Sequence, residues 1–311
     1  MSAALPLFGH ADAERSFVEA FGQARLHHAW LIEGPEGIGK ARLATRLAVY
    51  LLGGRGVNSA SVDFTADDPV WRAFSAGSHP DTQYVKRELN DKGKLTQDIS
   101  VDQIRSLTQF FTKKPALGGW RVGIIDAIDE TNRNGANALL KTLEEPPPKS
   151  VLFLINHGRL PILPTIRSRC RVLRLAALSD EDCQKALDAA GAPAAAARLA
   201  QGRPGRGMRL STQTALAASD AARSLLRALP NIPDKLALPA LSAAAVDDAA
   251  LEAFQTEIFD WLAERAETNP AAARLWLKQA RLAGDTERLN MDTAQVASKL
   301  VAGLYELAQA V

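Results

Sequence analysis

Gly34-Pro35-Glu36-Gly37-Ile38-Gly39-Lys40 has the residue types of a phosphate-binding loop. Glycines let backbone N–H groups turn inward around phosphate oxygens, and a lysine closing the run supplies positive charge for the outer phosphates. The next position normally carries Ser or Thr, whose hydroxyl holds Mg²⁺. Here it is Ala41. The pattern keeps an anion cradle and lacks the metal ligand. Gly34, Gly37, Gly39 and Lys40 are thus candidates for weak ATP or phosphate binding, or for a vestigial loop whose glycines fix a strand-to-helix turn. A second chemical candidate is the acid that ends Arg121-Val122-Gly123-Ile124-Ile125-Asp126. An aspartate at a strand's carboxyl end, beside a phosphate loop, can reach Mg²⁺. With the hydroxyl gone, Asp126 can equally be read as vestigial.

These residues act together only if strands and helices bring them to one edge. The loop follows the apolar run Ala29-Trp30-Leu31-Ile32 and precedes Arg42 to Leu51, whose apolar residues recur at helical spacing. Further strands are expected near Thr82 to Lys86, Arg121 to Asp126, Val151 to Asn156 and Arg171 to Leu175, an alternation with helical patterns that signals βα units around a parallel sheet. Ser100-Val101-Asp102-Gln103 ahead of Ile104 and Leu107 makes a capping box and predicts a helix from Val101 to about Thr112. Glu144 and Glu145 precede Pro146-Pro147 and close a helix, facing a neighbour or solvent. Residues 52–80 carry no assignable element and read as an excursion from the sheet.

Beyond Leu175 strand-like alternation does not return. Ser179-Asp180-Glu181-Asp182 opens a helix with acids at its positive end. An alanine-rich helix follows Pro193, residues 202–207 read as a break, and helix resumes at Met208. Two stripes, one of Phe254, Ile258, Phe259, Trp261 and Leu262, the other of Leu275, Trp276 and Leu282, mark packed amphipathic helices.

With 311 residues the chain has room for two or three domains. Its 47% hydrophobic and 23% charged residues describe a soluble globular protein, and no apolar run is long enough to span a membrane. The N-terminal residues show no basic region before a long apolar core, so no secretion signal is expected and a cytoplasmic location is the default. A net charge of +2 does not support autonomous DNA binding. Two cysteines, Cys170 and Cys183, cannot form a four-cysteine zinc site, and the five histidines show no metal spacing.

The block Asn134-Gly135-Ala136-Asn137-Ala138-Leu139-Leu140-Lys141-Thr142-Leu143-Glu144-Glu145-Pro146-Pro147, followed after the next strand by Thr165-Ile166-Arg167-Ser168-Arg169-Cys170, is more specific than the phosphate loop. With that loop and the strand ending at Asp126, it resembles bacterial clamp-loader subunits of the AAA+ superfamily over about residues 20–175. The resemblance implies a RecA-like α/β AAA+ domain over residues 1–175, a small helical lid over 176–214 and an all-α collar over 215–311 that serves oligomerisation. Active relatives carry a water-orienting glutamate at the position of Ala127 and tend to place a sensor arginine near Gly205, which Arg203 and Arg206 flank. Together with Ala41, these departures point to a non-hydrolysing stator of the DNA polymerase III clamp loader, a component of the DNA-directed DNA polymerase (nucleotidyltransferase) holoenzyme.

The resemblance also assigns Arg169 a catalytic role in trans. In the family this arginine leaves its own subunit and points at the γ-phosphate bound by a neighbour, where its delocalised charge stabilises phosphoryl transfer. The plainer reading is a surface arginine paired with a nearby carboxylate. Implied partners are delta and gamma or tau subunits in a heteropentamer, and through it the β sliding clamp and primed DNA; no membrane is involved. No cofactor is required. Some relatives carry a zinc module after the first helix, but residues 52–80 contain no cysteine, so zinc is not implied. Ser168 is read as positioning a helix end, Cys170 as a packed thiol and His27-His28 as structural, while Asn156 occupies the family's phosphate-sensing position. Asp129 and Glu130 are read as a solvated turn. Lys113 and Lys114, with Arg105, form either a solvated helix end or a local phosphate contact. Two rival functions remain: a self-sufficient AAA+ ATPase of the gamma or tau type with Glu130 or another acid replacing the missing glutamate, and a P-loop nucleotide kinase.

Overall fold

The apolar runs read as strands pair into one sheet. The computed structural model describes residues 4–54, 61–91, 93, 95–289 and 291–309; residues 55–60 of the expected excursion lie outside them. Helix α1 (Ala11–Gly22) precedes β1 (Ala29–Glu33), and α2 (Lys40–Leu51) follows the glycine loop. Next come α3 (Pro69–Ser75), β2 (Thr82–Lys86), α4 (Val101–Thr112), β3 (Arg121–Asp126), a 3₁₀ turn at Ile128–Glu130, α5 (Arg133–Glu144) and β4 (Ser150–Asn156). The short α6 (Pro164–Arg167) and β5 (Arg171–Arg174) complete the sheet, whose strands are all parallel in the order β2-β3-β4-β1-β5.

Register carries the carboxyl ends to one edge. Glu33 lies opposite Asn156 and Arg174, and Asp126 lies opposite Ile155 and Lys86. β4 is buried along its whole length, which is why Val151 to Ile155 reads as an unbroken apolar run rather than an alternating one. On β1 the side chains alternate: Ala29 and Leu31 join Ile104, Leu107, Phe111, Leu139 and Leu143 of α4 and α5, while Trp30 packs against Phe17 of α1 at 5.0 Å between ring centroids. The predicted capping box is formed, with Ser100 Oγ accepting from the Gln103 N–H and the Gln103 side chain accepting from the Ser100 N–H. α3 stands where no element was expected. Its start is marked by Asp68, whose carboxylate accepts the N–H groups of Val70 and Trp71, followed by proline in the first turn.

After β5 only helices occur among the described residues: α7 (Asp180–Ala189), α8 (Ala195–Ala200), α9 (Pro204–Arg209), α10 (Gln213–Arg227), α11 (Asp234–Ala244), α12 (Asp248–Ala266), α13 (Pro270–Leu289) and α14 (Thr293–Gln309). The expected break over 202–207 is partly present: residues 201–203 separate α8 from α9, but it is shorter than expected and a second interruption follows it. Pro204 already starts α9, and the second interruption comes after Arg209, where Thr212 caps α10 by accepting the Ala215 N–H. Proline suits a first helical turn because its missing N–H has no partner to lose. Chain contacts divide the protein into two compact units, residues 1–186 with 202–205, and residues 187–201 with 206–311. The second has its own core, in which Phe254, Ile258 and Leu262 of α12 meet Leu225 of α10 and Leu300 and Leu304 of α14. The first expected stripe is therefore packing, although Phe259 and Trp261 are only partly buried. Leu275 of the second is buried and Trp276 is 37% exposed; the Leu282 side chain lies outside the described ones. No helix of the described residues is long and apolar enough to cross a membrane.

Candidate functional site

The carboxyl edge of the sheet assembles the loop and the candidate acid Asp126. Gly34, Gly37 and Gly39 take φ of 150°, 85° and 101°. A side chain at Gly34 would place its Cβ 2.3 Å from the Leu175 carbonyl oxygen, so glycine there is needed for space as well as for backbone freedom. Lys40 opens α2 and is 2% exposed. Its ammonium donates to the carbonyls of Gly34 and, at 2.6 Å, of Pro35. Burial brings its pKa down to about 8 despite the nearby Asp129, Glu36 and Asp126 carboxylates. The cradle's main cation is thus spent on the cradle's own backbone.

Asp126 is likewise engaged. Tyr84 on β2 donates its hydroxyl to Asp126 Oδ2 at 2.7 Å, and His157 Nε2 lies 3.6 Å from Oδ1. Burial alone would raise the Asp126 pKa, but the His157 and Tyr84 contacts outweigh it and hold the carboxyl below its ordinary value. Ala127 has no exposed surface at all. The Gly205 N–H donates to the Gly37 carbonyl at 2.8 Å, and a Cβ at Gly205 would sit 2.9 Å from the Gly37 Cα. Arg206 turns elsewhere: it is buried in the helical unit, ion-paired with Glu252 at 2.8 Å and bonded to the Leu199 carbonyl.

Asp129 and Glu130 correct the reading of a solvated turn. Asp129 is 4% exposed and accepts the backbone N–H groups of His157 at 3.1 Å and Arg159 at 2.9 Å, which fastens the loop after β4. Glu130 is ion-paired with Arg87 at 2.9 Å and Arg159 at 3.2 Å, and Arg159 reaches on to Glu36 of the glycine loop at 2.5 Å. Glu130 is therefore not a free carboxylate waiting for a water. Tyr84, His157 and Arg159 were not singled out by sequence reasoning. The one signal was the position of Asn156-His157-Gly158 at the end of a buried strand. Asn156 itself is spent on structure, donating to Glu33 at 3.3 Å and accepting the Gly158 N–H at 2.8 Å. Glu33 also takes both ends of the Arg167 guanidinium.

Arg169 lies apart from these bonds, just past α6. Its guanidinium donates to the Thr165 carbonyl at 2.9 Å and pairs with Glu144 at 2.8 Å, with 35% of its side chain exposed. Ser168 caps α6 and donates to the Thr165 carbonyl. Cys170 packs against the sheet core, and burial raises its thiol pKa to about 12, so it is a packed thiol and not a nucleophile. His27 bonds Ala29 and His28 donates to the Leu143 carbonyl at 3.0 Å, a structural role for both.

Over residues 9–179, more than half of its length, the chain matches the family described as DNA polymerase III, delta subunit. The chain belongs to this family. Within it the likeness is to the delta-prime type. It is 40% identical over 149 residues to DNA polymerase III subunit delta' of Pseudomonas aeruginosa, covering 48% of this chain and 43% of that protein. It is 35% identical over 199 residues to the subunit delta' of Escherichia coli, covering 62% and 57%. These matches span about half the length of the relatives. A solved Thermotoga maritima protein related to the DNA polymerase III gamma subunit shares the fold, with a TM-score of 0.51 and 15% identity over 94% of this chain and 99% of that one. The fold class is that of AAA+ proteins, a parallel sheet with a phosphate loop after β1 followed by a mainly helical region.

Proposed function

We propose that this chain is the stator of a bacterial DNA polymerase III clamp loader: it hydrolyses no ATP itself and lends Arg169 to a nucleotide held by a neighbouring ATPase subunit. The reading places it in a heteropentamer with delta and gamma or tau subunits that loads the β sliding clamp onto primed DNA. Its helical region 176–214 is the lid, and 215–311 is the collar that holds the ring together. The observation that carries this reading is the contrast between the two sites. In the cradle Lys40 is bonded to Gly34 and Pro35, Asp126 to Tyr84, and Gly37 to Gly205. Ala41 offers no oxygen to a metal, and the buried Ala127 offers none to a water. This donor set does not fit a magnesium nucleotide. Arg169, by contrast, keeps a third of its side chain exposed. In phosphoryl-transfer enzymes an arginine supplied by a neighbour is worth roughly 10³ to 10⁵ in rate.

The test is a clamp loader reconstituted with gamma and delta subunits and either this chain or its Arg169→Ala variant. Expected are normal assembly, a large loss of ATP turnover at the adjacent site and impaired clamp loading, with no turnover above background by the isolated chain. Unchanged turnover in an intact Arg169→Ala complex would sink the trans role. Hydrolysis by the isolated chain would instead favour an autonomous ATPase.

A further inference from the structure

Arg169 does not swing freely. One terminal nitrogen of its guanidinium is held by the Thr165 carbonyl of α6 at 2.9 Å, and the other is 2.8 Å from Oε1 of Glu144. Glu144 is the last residue of α5, and the end of that helix is itself anchored. The adjacent Leu143 is buried, its carbonyl accepts the His28 imidazole N–H at 3.0 Å from the start of β1, and the Glu145 N–H closes the helix on the Lys141 carbonyl. A chain of fixed contacts thus runs from His28, just ahead of β1, through the end of α5 to the guanidinium.

Fold stability does not account for the pair. Half-exposed ion pairs contribute about 0–1 kcal/mol, and Glu144 keeps 49% of its side chain exposed. What the contact does determine is direction. A guanidinium is planar, so fixing one terminal nitrogen on the Thr165 carbonyl and, at 3.4 Å, the Ser168 hydroxyl, and the other on Glu144, sets the plane of the group. A group that stabilises developing negative charge is most effective when its orientation is set before the reaction.

We propose that Glu144 is a positioning residue for Arg169, orienting the guanidinium toward the phosphate oxygens of the nucleoside triphosphate held by the neighbouring subunit. This rests on the proposed role of Arg169 in trans. In reconstituted complexes of verified stoichiometry, Glu144→Ala lowers kcat for ATP about tenfold, less than the roughly hundredfold that a 1 Å misplacement of a catalytic group can cost, and leaves the KM for ATP unchanged. Glu144→Gln restores most of the rate, because the amide oxygen still accepts from the guanidinium. Glu144→Ala added to Arg169→Ala produces no further loss, since there is nothing left to position. If Arg169→Ala slows turnover while Glu144→Ala is as fast as or faster than the unaltered complex, the positioning role is overturned, and a faster rate identifies Glu144 as a restraint. A further loss in the double variant overturns it as well. If Arg169→Ala itself has no effect, the trans role fails first and the inference falls with it, so the two failures are told apart by the single arginine variant.

Discussion

Lys40 carries the charge of the cradle, and its burial makes that charge costly. Its pKa falls from the ordinary 10.5 to about 8, with burial outweighing the attraction of Asp129, Glu36 and Asp126. The consequence for stability has a definite sign. Between pH 8 and 10.5 the unfolded chain still holds a proton that the folded chain has released, so stability rises with pH across that window. Lys40→Met removes the titration. Urea unfolding of both proteins should show the unaltered chain gaining on the variant as pH rises from about 8 toward 10.5, by at most about 3 kcal/mol. A difference that is flat with pH, or that shrinks, would mean the ammonium is not desolvated as its 2% exposure indicates.

At the scale of elements, the end of β3 and the start of α9 show why the cradle is not simply one residue short of activity. Ala127 follows β3 with no exposed surface, so Ala127→Glu forces a carboxyl into packed surroundings. A cost of about 2–4 kcal/mol is expected in thermal or urea unfolding, and no ATPase activity appears even when Ala41→Thr is added. Gly205→Ala meets the Gly37 backbone at 2.9 Å, where no flexible side chain can yield, and it should destabilise by about 1–3 kcal/mol. A neutral result for either would show that the packing at that position has room for the larger side chain. The elements themselves were largely legible. β1, β3 and α4 fall where buried runs and a capping box placed them, because those signals are local, and β2, in which only Val85 is buried, also falls where it was expected. α3 escaped notice inside an irregular stretch, although Asp68-Pro69 is a helix-start pair. The site was only half legible. Glycine spacing marks a phosphate loop, but nothing local in Asp129 foretells that it will receive backbone N–H groups 28 and 30 residues further on. The partners of Asp126, and Glu144 as the partner of Arg169, likewise, are set by strand order and helix ends rather than by neighbours in the chain.

At the scale of the molecule, the proposed division of labour gives the sheet unit the arginine and the helical unit the assembly. The helical core is rich in alanine: Ala218, Ala222, Ala237, Ala240, Ala244, Ala250, Ala272 and Ala297 are all buried in it. Small residues let helix backbones approach closely, and the few large side chains then carry much of the apolar burial. Phe254 is the largest of them with no exposed surface. Phe254→Ala leaves a cavity among α10, α12 and α14 and should cost about 3–5 kcal/mol, a large part of what a domain of this size has to lose. If this unit is the collar, the variant should drop out of the complex with gamma and delta subunits in gel filtration at temperatures where the unaltered chain remains in it. Complex ATPase should fall with the fraction assembled, and the rate per assembled complex should stay the same. Arg169→Ala is expected to do the reverse, keeping assembly while lowering the rate per complex. Should Phe254→Ala assemble fully despite measured loss of stability, the collar assignment fails; should it assemble fully and turn over slowly, the two units are not divided in the way proposed.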